Sequence, residues 1–308
     1  MRLVVGTRGS ALALAQTDLV RRALLARFPG LEIETRRITT KGDVLLDRPL
    51  GDVGDKGLFV AEIEEALRRG EIDLAVHSAK DLPSDLPADL CLAAFPERAD
   101  PRDVLVSRLG GLADLPPGAR VGTGSPRRAC QVRAARPDLA IVPIRGNVDT
   151  RLRKLDAGDY DALVLAAAGL VRLGWANRVT EWLPLEVALP SVGQGALAVE
   201  TRAEDTRVRE LVGALDDPVT ARTVRAERAF LSRMGAGCQA AVAAHAVAAG
   251  AELVVTGMIG HPDGRMVTGR ATGFDPVELG TALADRLLVG GGRALLEECR
   301  HEREFVGD

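Results

Sequence analysis

The sequence predicts an α/β protein of two lobes followed by a separate α+β domain. Three observations predict it. Short apolar runs such as Leu74–Val76 and Ala162–Ala166 alternate with stretches of helical period, the pattern of βαβ units and a mostly parallel sheet. One device occurs twice: a strand, a Gly/Ser turn bearing arginine, then a helix start, first at Gly6-Thr7-Arg8-Gly9-Ser10 and again at Gly122-Thr123-Gly124-Ser125-Pro126-Arg127-Arg128. Beyond Pro218 the order changes to a long helix, three strand-like segments and then helices, which signals a different architecture. The expected boundaries are 1–97 with 195–216 for the first lobe, 98–194 for the second and 217–308 for the third domain.

Taken in order, Arg2 to Gly6 reads as a strand, and Ser10 is a good N-cap for a helix with Leu12, Ala15, Leu19, Ala23 and Ala26 on one face. Phe28-Pro29-Gly30 stops it, and Leu31 to Thr39 reads as a second strand. Thr40 to Gly57 is Gly/Asp-rich and aperiodic; a loop of that length is usually functional or disordered, and Lys41 and Lys56 suit a lid over an anion. Leu58 to Arg69 is helical, Ile72 to Val76 a buried strand, and Cys91 to Phe95 another. The charged stretch Arg98 to Asp103 reads as a crossing to the second lobe. There, Ser125 as N-cap and Pro126 at the first helical position open a helix. Strands at Ile141 to Ile144 and Ala162 to Ala166 follow, with a helix through Leu155 between them. Pro190 to Val199 is a glycine-hinged return to the first lobe, ending in a strand. The third domain begins with a helix over Pro218 to Met234. Strands at Ala240 to Val247, Leu253 to Ile259 and Arg265 to Thr272 come next, then helices from Pro276 to Cys299.

The totals exclude several classes. Of 308 residues, 46% are hydrophobic and 27% charged, ordinary for a globular protein. No apolar run approaches the roughly 18 residues of a membrane span, and Met1 to Gly6 is too short an apolar run for a secretory signal, so a cytoplasmic protein with no membrane partner is expected. A net charge of −3 argues against general nucleic-acid binding. Cys91, Cys130, Cys238 and Cys299 form no C-x-x-C pair, so neither a metal site nor a disulfide framework is expected. Gly122-Thr123-Gly124 is no dinucleotide fingerprint, because Arg127 stands at the third glycine position.

The chemistry concentrates after the strand at Leu74. His77, Ser78, Lys80 and Asp81 follow it directly, and open α/β sheets bind ligands beyond the carboxyl ends of their strands. The plain alternative is that Asp81 caps a short turn and Lys80 is solvated. Arg8 and Ser10 lie between a strand end and a helix N-terminus, a natural anion site, where the alternatives are a surface charge and a simple cap. Cys238 sits in the small-residue loop Gly235-Ala236-Gly237-Cys238-Gln239; it is either an accessible thiol or a buried apolar filler.

As an ordered set, these motifs resemble one family, hydroxymethylbilane synthase, also called porphobilinogen deaminase. The resemblance rests on Gly6 to Ala13, Lys56-Gly57-Leu58-Phe59-Val60, His77-Ser78-Ala79-Lys80-Asp81-Leu82-Pro83, Gly122 to Arg128, Arg145-Gly146-Asn147-Val148-Asp149-Thr150-Arg151, Gly193-Gln194-Gly195-Ala196, and Ala226-Glu227-Arg228 through Cys238-Gln239. Ala79, Gly124, Ala236 and Ala241 depart from the usual pattern, and none replaces a charged or nucleophilic group.

The resemblance implies two lobes like those of periplasmic binding proteins, and a transferase that condenses four porphobilinogens head to tail, with loss of ammonia, into hydroxymethylbilane. The chain would grow on a dipyrromethane cofactor held by a thioether to Cys238. Asp81 would be the catalytic carboxylate. Lys80, Asp81, Ser125, Arg127, Arg128 and Arg145 would bind the cofactor, and Arg8, Ser10, Lys56, Phe59, Arg145, Arg151 and Arg172 the substrate. Arginine forks match carboxylates bidentately. A monomer with no nucleic-acid partner is expected. The competing reading is a two-lobed binding module for a small organic anion, which gives Cys238 and the third domain no role.

Overall fold

Strands buried on both faces read as unbroken apolar runs, and the central strands of both lobes have this character. The structure, a computed structural model, describes residues 1–44, 60–235 and 241–306. In chain order the first lobe holds β1 (Arg2–Thr7), α1 (Ala11–Arg27), β2 (Glu32–Arg37), α2 (Lys41–Val44), α3 (Ala61–Arg68), β3 (Leu74–Ser78) and β4 (Leu90–Ala94). The second lobe holds β5 (Asp103–Ser107), β6 (Arg120–Gly122), α4 (Pro126–Ala135), β7 (Ala140–Val142), α5 (Val148–Asp156), β8 (Ala162–Ala166), α6 (Ala167–Arg172) and β9 (Glu181–Trp182). β10 (Leu197–Arg202) and α7 (Thr206–Gly213) belong to the first lobe again, and α8 (Pro218–Met234) leads into β11 (Ala241–Ala249), β12 (Glu252–Gly260), β13 (Met266–Gly273), α9 (Pro276–Leu287) and α10 (Arg293–Val306). By Cα proximity the chain divides into Met1–Ala99 with Gly195–Arg222, and Asp100–Gln194 with Thr223–Asp308.

The two lobes share one topology. The first sheet has the order β2-β1-β3-β10-β4 and the second β7-β6-β8-β5-β9. In each, three strands are parallel and a fourth enters antiparallel beside the third: β10 against β3, and β5 against β8. Those antiparallel strands are the first after each crossing between lobes, so the expected mostly parallel sheet is interrupted by the strand that completes it. In the first lobe Leu3, Val5, Leu74, Val76 and Val199 pack on Val20 and Leu24 of α1 and Val208 and Val212 of α7. Ala75 faces the other way, onto Ile63, Ala66 and Leu67 of α3. The outer strand β2 is largely exposed and charged, which discourages edge pairing.

In the second lobe Leu105, Val121 and Val164 pack with Val132 of α4, while Val104, Val106, Leu163 and Leu165 pack with Leu152 and Leu155 of α5. The third sheet, β11-β12-β13, is antiparallel throughout. Its helical cover buries Phe230, Leu283, Leu287 and Leu296 against Leu253, Val255 and Ile259. Gly257 permits that closeness, since a Cβ there would lie 2.6 Å from the Phe230 ring.

Some expected elements change. Asp103, read as part of a charged crossing, begins β5 and is fully buried. β5, β9 and α7 were not expected as elements; β9 is only two residues long, and β5 hides behind the charged run before it. Of the expected lid, Lys41–Val44 form a short helix, and residues 45–57 lie outside the described residues.

Candidate active site

β3 places the first group. Period-two alternation puts His77 on the same face as Ala75, where its Nε2 lies 3.0 Å from Glu200 Oε2 of β10, both side chains buried. Glu64 of α3 is also buried; burial first, and then the Glu200 charge, raise its carboxyl above the usual range. Gln16 of α1 donates from Nε2 to Ser78 Oγ at 2.8 Å. The chain then makes one 3-10 turn over Ala79–Asp81, with Lys80 half-buried and Asp81 exposed. Ser78 makes no side-chain cap for this turn, and among the described residues nothing engages the Asp81 carboxylate. Asp81 is therefore no turn cap; it is a carboxylate presented to solvent from an anchored backbone.

At the β1–α1 junction the reverse holds for Ser10. Its Oγ accepts the Ala13 N–H at 3.3 Å, so the hydroxyl caps α1. Arg8 beside it is half-buried.

In the second lobe Ser125 caps α4, accepting the Arg128 N–H at 3.4 Å, with Pro126 next. Glycine at 124 suits the turn, because a Cβ would approach the Ile144 carbonyl to 2.8 Å. Arg127 and Arg128 are both buried, and both meet Asp103. Arg127 Nη1 donates to Asp103 Oδ2 at 2.7 Å and to the Leu189 carbonyl at 2.6 Å. Arg128 donates from Nε and Nη2 to Asp103 Oδ1 at 3.1 and 2.8 Å, and from Nη1 to the Val164 carbonyl at 3.1 Å. Burial alone would raise the Asp103 carboxyl; the two guanidiniums outweigh it and hold the group well below the usual carboxylate range. Both arginines thus share one buried carboxylate.

One carboxylate for two guanidiniums leaves a surplus positive charge, and the surplus grows toward α5. Arg151, half-buried, donates from Nε to the Gly146 carbonyl at 2.7 Å. Burial, and then the charges of Arg128 and Arg145, push its guanidinium down to about 10. The structure thus places Arg151 within electrostatic reach of both Arg128 and Arg145. Arg172, the last residue of α6, is likewise pushed down to about 10, by burial. Like charges crowded in a half-buried place are costly unless anions join them. That is the donor set a group bearing several carboxylates requires, so a dipyrromethane with acid side chains fits these residues. Lys56, Phe59 and Cys238 lie outside the described residues. Among the described residues no group of His, Cys, Asp and Glu is placed to hold a metal ion.

Comparison with known proteins bears on the same residues. Residues 3–210 match the family model described as "Porphobilinogen deaminase, dipyromethane cofactor binding domain", and residues 221–289 match "Porphobilinogen deaminase, C-terminal domain". The chain belongs to the porphobilinogen deaminase family. Curated porphobilinogen deaminases are similar over nearly their whole length. That of Roseiflexus sp. (strain RS-1) is 61% identical over 96% of this chain and 98% of its own. That of Pelobacter propionicus is 52% identical over 99% of both chains. Among solved structures, a TRAP periplasmic solute binding protein from Desulfovibrio salexigens is similar with TM-score 0.42 and 11% identity, over 70% of this chain and 72% of that one. The match to the cofactor-binding domain spans Asp81 and every arginine of the second-lobe cluster.

Sequence reading passed over Asp103, Gln16 and Glu200. An aspartate standing directly before the apolar run Val104-Leu105-Val106, in a chain with a downstream arginine pair, is the signal that points to Asp103. Gln16 and Glu200 directly follow the apolar runs Ala11–Ala15 of α1 and Leu197–Val199 of β10. That is where a polar residue needs a buried partner.

Proposed function

We propose that this chain condenses porphobilinogen head to tail into hydroxymethylbilane, with Asp81 as the reacting carboxylate, Cys238 as the attachment point of a dipyrromethane, and the arginines of both lobes as carboxylate receptors. The observation that supports it best is the crowding of Arg128, Arg145 and Arg151 beside a matched Arg127–Asp103 pair.

Each porphobilinogen bears an acetate and a propionate arm, so every unit added brings two negative charges. Arg128, Arg145 and Arg151 receive such arms, with Arg8, Arg172, Lys56 and Lys80 assisting, and the binding relieves the repulsion among the guanidiniums. A dipyrromethane joined to Cys238 would supply the electron-rich pyrrole on which growth starts. As the substrate's C–N bond breaks and ammonia leaves, positive charge spreads over the pyrrole ring. Asp81 accepts the ring N–H and faces that charge. An acceptor fixed before the charge develops stabilises the transition state more than the ground state. Arg127 acts from behind, holding Asp103. Ser125 supports the site by capping α4, and Phe59 would lie against a pyrrole ring. The working form is proposed as a cytoplasmic monomer of three domains, bounded at 1–97 with 195–216, 98–194 and 217–308.

The test is the intact mass of the purified protein. The expected result is a chain heavier than its sequence by one dipyrromethane, with the addition mapped to Cys238 and lost in Cys238→Ser together with turnover. Turnover by protein of bare-chain mass refutes the reading.

A further inference from the structure

By strand order, β3 and β10 stand in the first lobe where β8 and β5 stand in the second, and the two pairs keep the same register. Ser78, His77 and Ala75 lie opposite Leu197, Ala198 and Glu200; Ala166, Leu165 and Leu163 lie opposite Asp103, Val104 and Val106. His77 and Glu200 therefore correspond to Leu165 and Val106, which are apolar and pack in the core of their own lobe. His77 and Glu200 are buried just as deeply, yet they are polar and meet diagonally across the strands, Nε2 to Oε2 at 3.0 Å. Ala198 and Ala75, directly opposite them, carry only methyl groups and leave that diagonal open. Glu200 Oε1 is buried with no hydrogen-bond partner among the described residues.

The scaffold thus folds with an apolar pair at these positions, and a buried ionic pair is often no more stabilising than an apolar one of similar volume. Stability alone gives no reason for His77 and Glu200. What differs between the lobes is the segment that follows the strand. In each, the first residue beyond it donates its N–H to the carbonyl just before the antiparallel partner: Ala79 to Ala196, and Ala167 to Arg102, both at 3.0 Å. After β8 that bond starts α6, which carries on by its own hydrogen bonds as far as the Leu173 N–H. After β3 it starts only the 3-10 turn Ala79–Asp81, closed by a bond of 3.4 Å from the Leu82 N–H to the Ala79 carbonyl. A turn so short takes its position from the strand end that launches it.

We propose that His77 and Glu200 are a positioning pair for the condensation: their bond fixes the end of β3 against β10, and with it the turn that presents Asp81. Every contact in this chain lies within the first lobe. The inference rests on Asp81 being the reacting carboxylate. A hydrogen bond constrains distance and angle, whereas hydrophobic contact is non-directional. A reacting group misplaced by about 1 Å can cost on the order of a hundredfold in rate.

His77→Leu/Glu200→Val, which installs the second lobe's own pair, tests it. The double variant should fold, with a thermal midpoint no more than about 3 °C below wild type, because neither polar group is left without its partner. Its kcat per adduct-bearing chain, with occupancy read by intact mass, should fall at least about tenfold, and KM for porphobilinogen should stay within about threefold. Glu200→Gln keeps a hydrogen bond to His77 and should retain kcat within about threefold of wild type. In an Asp81→Asn background the double replacement should add less than about twofold, because a pair acting through Asp81 has little left to lose. A double variant that fails to fold, or that loses less than tenfold in kcat, overturns the proposal. So does a Glu200→Gln enzyme no faster than the double variant, and so does a full tenfold loss in the Asp81→Asn background. Asp81→Asn alone reads the carboxylate itself: a kcat within tenfold of wild type refutes that assignment, however the His77 and Glu200 variants behave.

Discussion

Arg127→Leu is the sharpest test of the buried Arg127–Asp103 contact. Were Arg127 a ligand-binding fork, leucine would leave the fold sound and weaken binding of acid-bearing chains. The structure predicts the opposite order of effects. Asp103 has no exposed surface and Arg127 has 4%, and Nη1 makes a 2.7 Å bond to the carboxylate and a 2.6 Å bond to Leu189. Arg127→Leu leaves Asp103 with Arg128 and Gln194 but removes two buried hydrogen bonds from a charged donor, each contributing about 1.5–3 kcal/mol. For a unit of this size that is a fall in thermal midpoint on the order of 10 °C. The depressed Asp103 carboxyl fixes the pH dependence. Such a group contributes stability that is present above its unfolded value near 4 and is lost as pH falls through its folded value. The difference between wild type and variant is therefore flat from about pH 5 to 9 and shrinks only in strong acid. Differential scanning calorimetry across that range measures it. Arg127→Leu/Asp103→Asn should lose less than the sum of the single variants, because both break the same Arg127–Asp103 contact. An Arg127→Leu midpoint within about 2 °C of wild type refutes the reasoning.

The other predictions concern the exposed carboxylate and the unmatched cations. Asp81→Asn should lower kcat by roughly a hundred- to a thousandfold with the thermal midpoint within about 2 °C, and Asp81→Glu should retain more activity than Asn; single-turnover ammonia release measures both. Arg151→Gln should hold or raise the midpoint of adduct-free protein at pH 7, because its folded pKa lies below the unfolded one. For a base so shifted, the cost of carrying charge is fully present below about 10 and is relieved only as pH rises through that value. The same variant should lose the midpoint increase that citrate gives adduct-free wild type, and a wild-type-sized increase argues against the cluster as a carboxylate receptor.

Much of this was legible in the sequence because the signals are local. A Ser-Pro pair opening a helix, an apolar pentapeptide such as Ala162–Ala166 and the helix over Pro218–Met234 need no tertiary information, and the structure forms them at those residues. The antiparallel entry of β5 and β10 was not legible, because strand direction within a sheet depends on the path of the whole chain. The burial of Asp103 was hidden for a related reason. In Arg98-Ala99-Asp100-Pro101-Arg102-Asp103 the acidic residues look alike. Asp100, partly exposed, pairs locally with Arg102, whose Nη2 lies 2.6 Å from its Oδ2. Asp103 finds its partners 24 and 25 residues away. Composition distinguishes neither. Only the register that sets Asp103 opposite Ala166, at the end of β8, sends it inward.

The two lobes, alike in strand order, bury opposite charge. Beneath the Asp81 turn the first lobe encloses Glu64 and Glu200 with His77; the carboxyl of Glu64 is raised by burial first and then by the Glu200 charge. The second lobe encloses Arg127 and Arg128 around one aspartate, and the guanidinium of Arg151 is depressed by burial first and then by the charges of Arg128 and Arg145. Fixed charge inside a poorly polarisable interior acts farther and with less screening than charge at a surface. In the proposed reading the first lobe favours a group that gains positive charge near the Asp81 turn, and the second favours groups that carry negative charge into the reaction. The condensation needs both, since each pyrrole carries two carboxylates and becomes cationic as ammonia leaves. One scaffold used twice divides the two tasks by the sign of a few buried residues. Asp103 keeps the positive lobe foldable, because without it Arg127 and Arg128 would face each other with no anion between them.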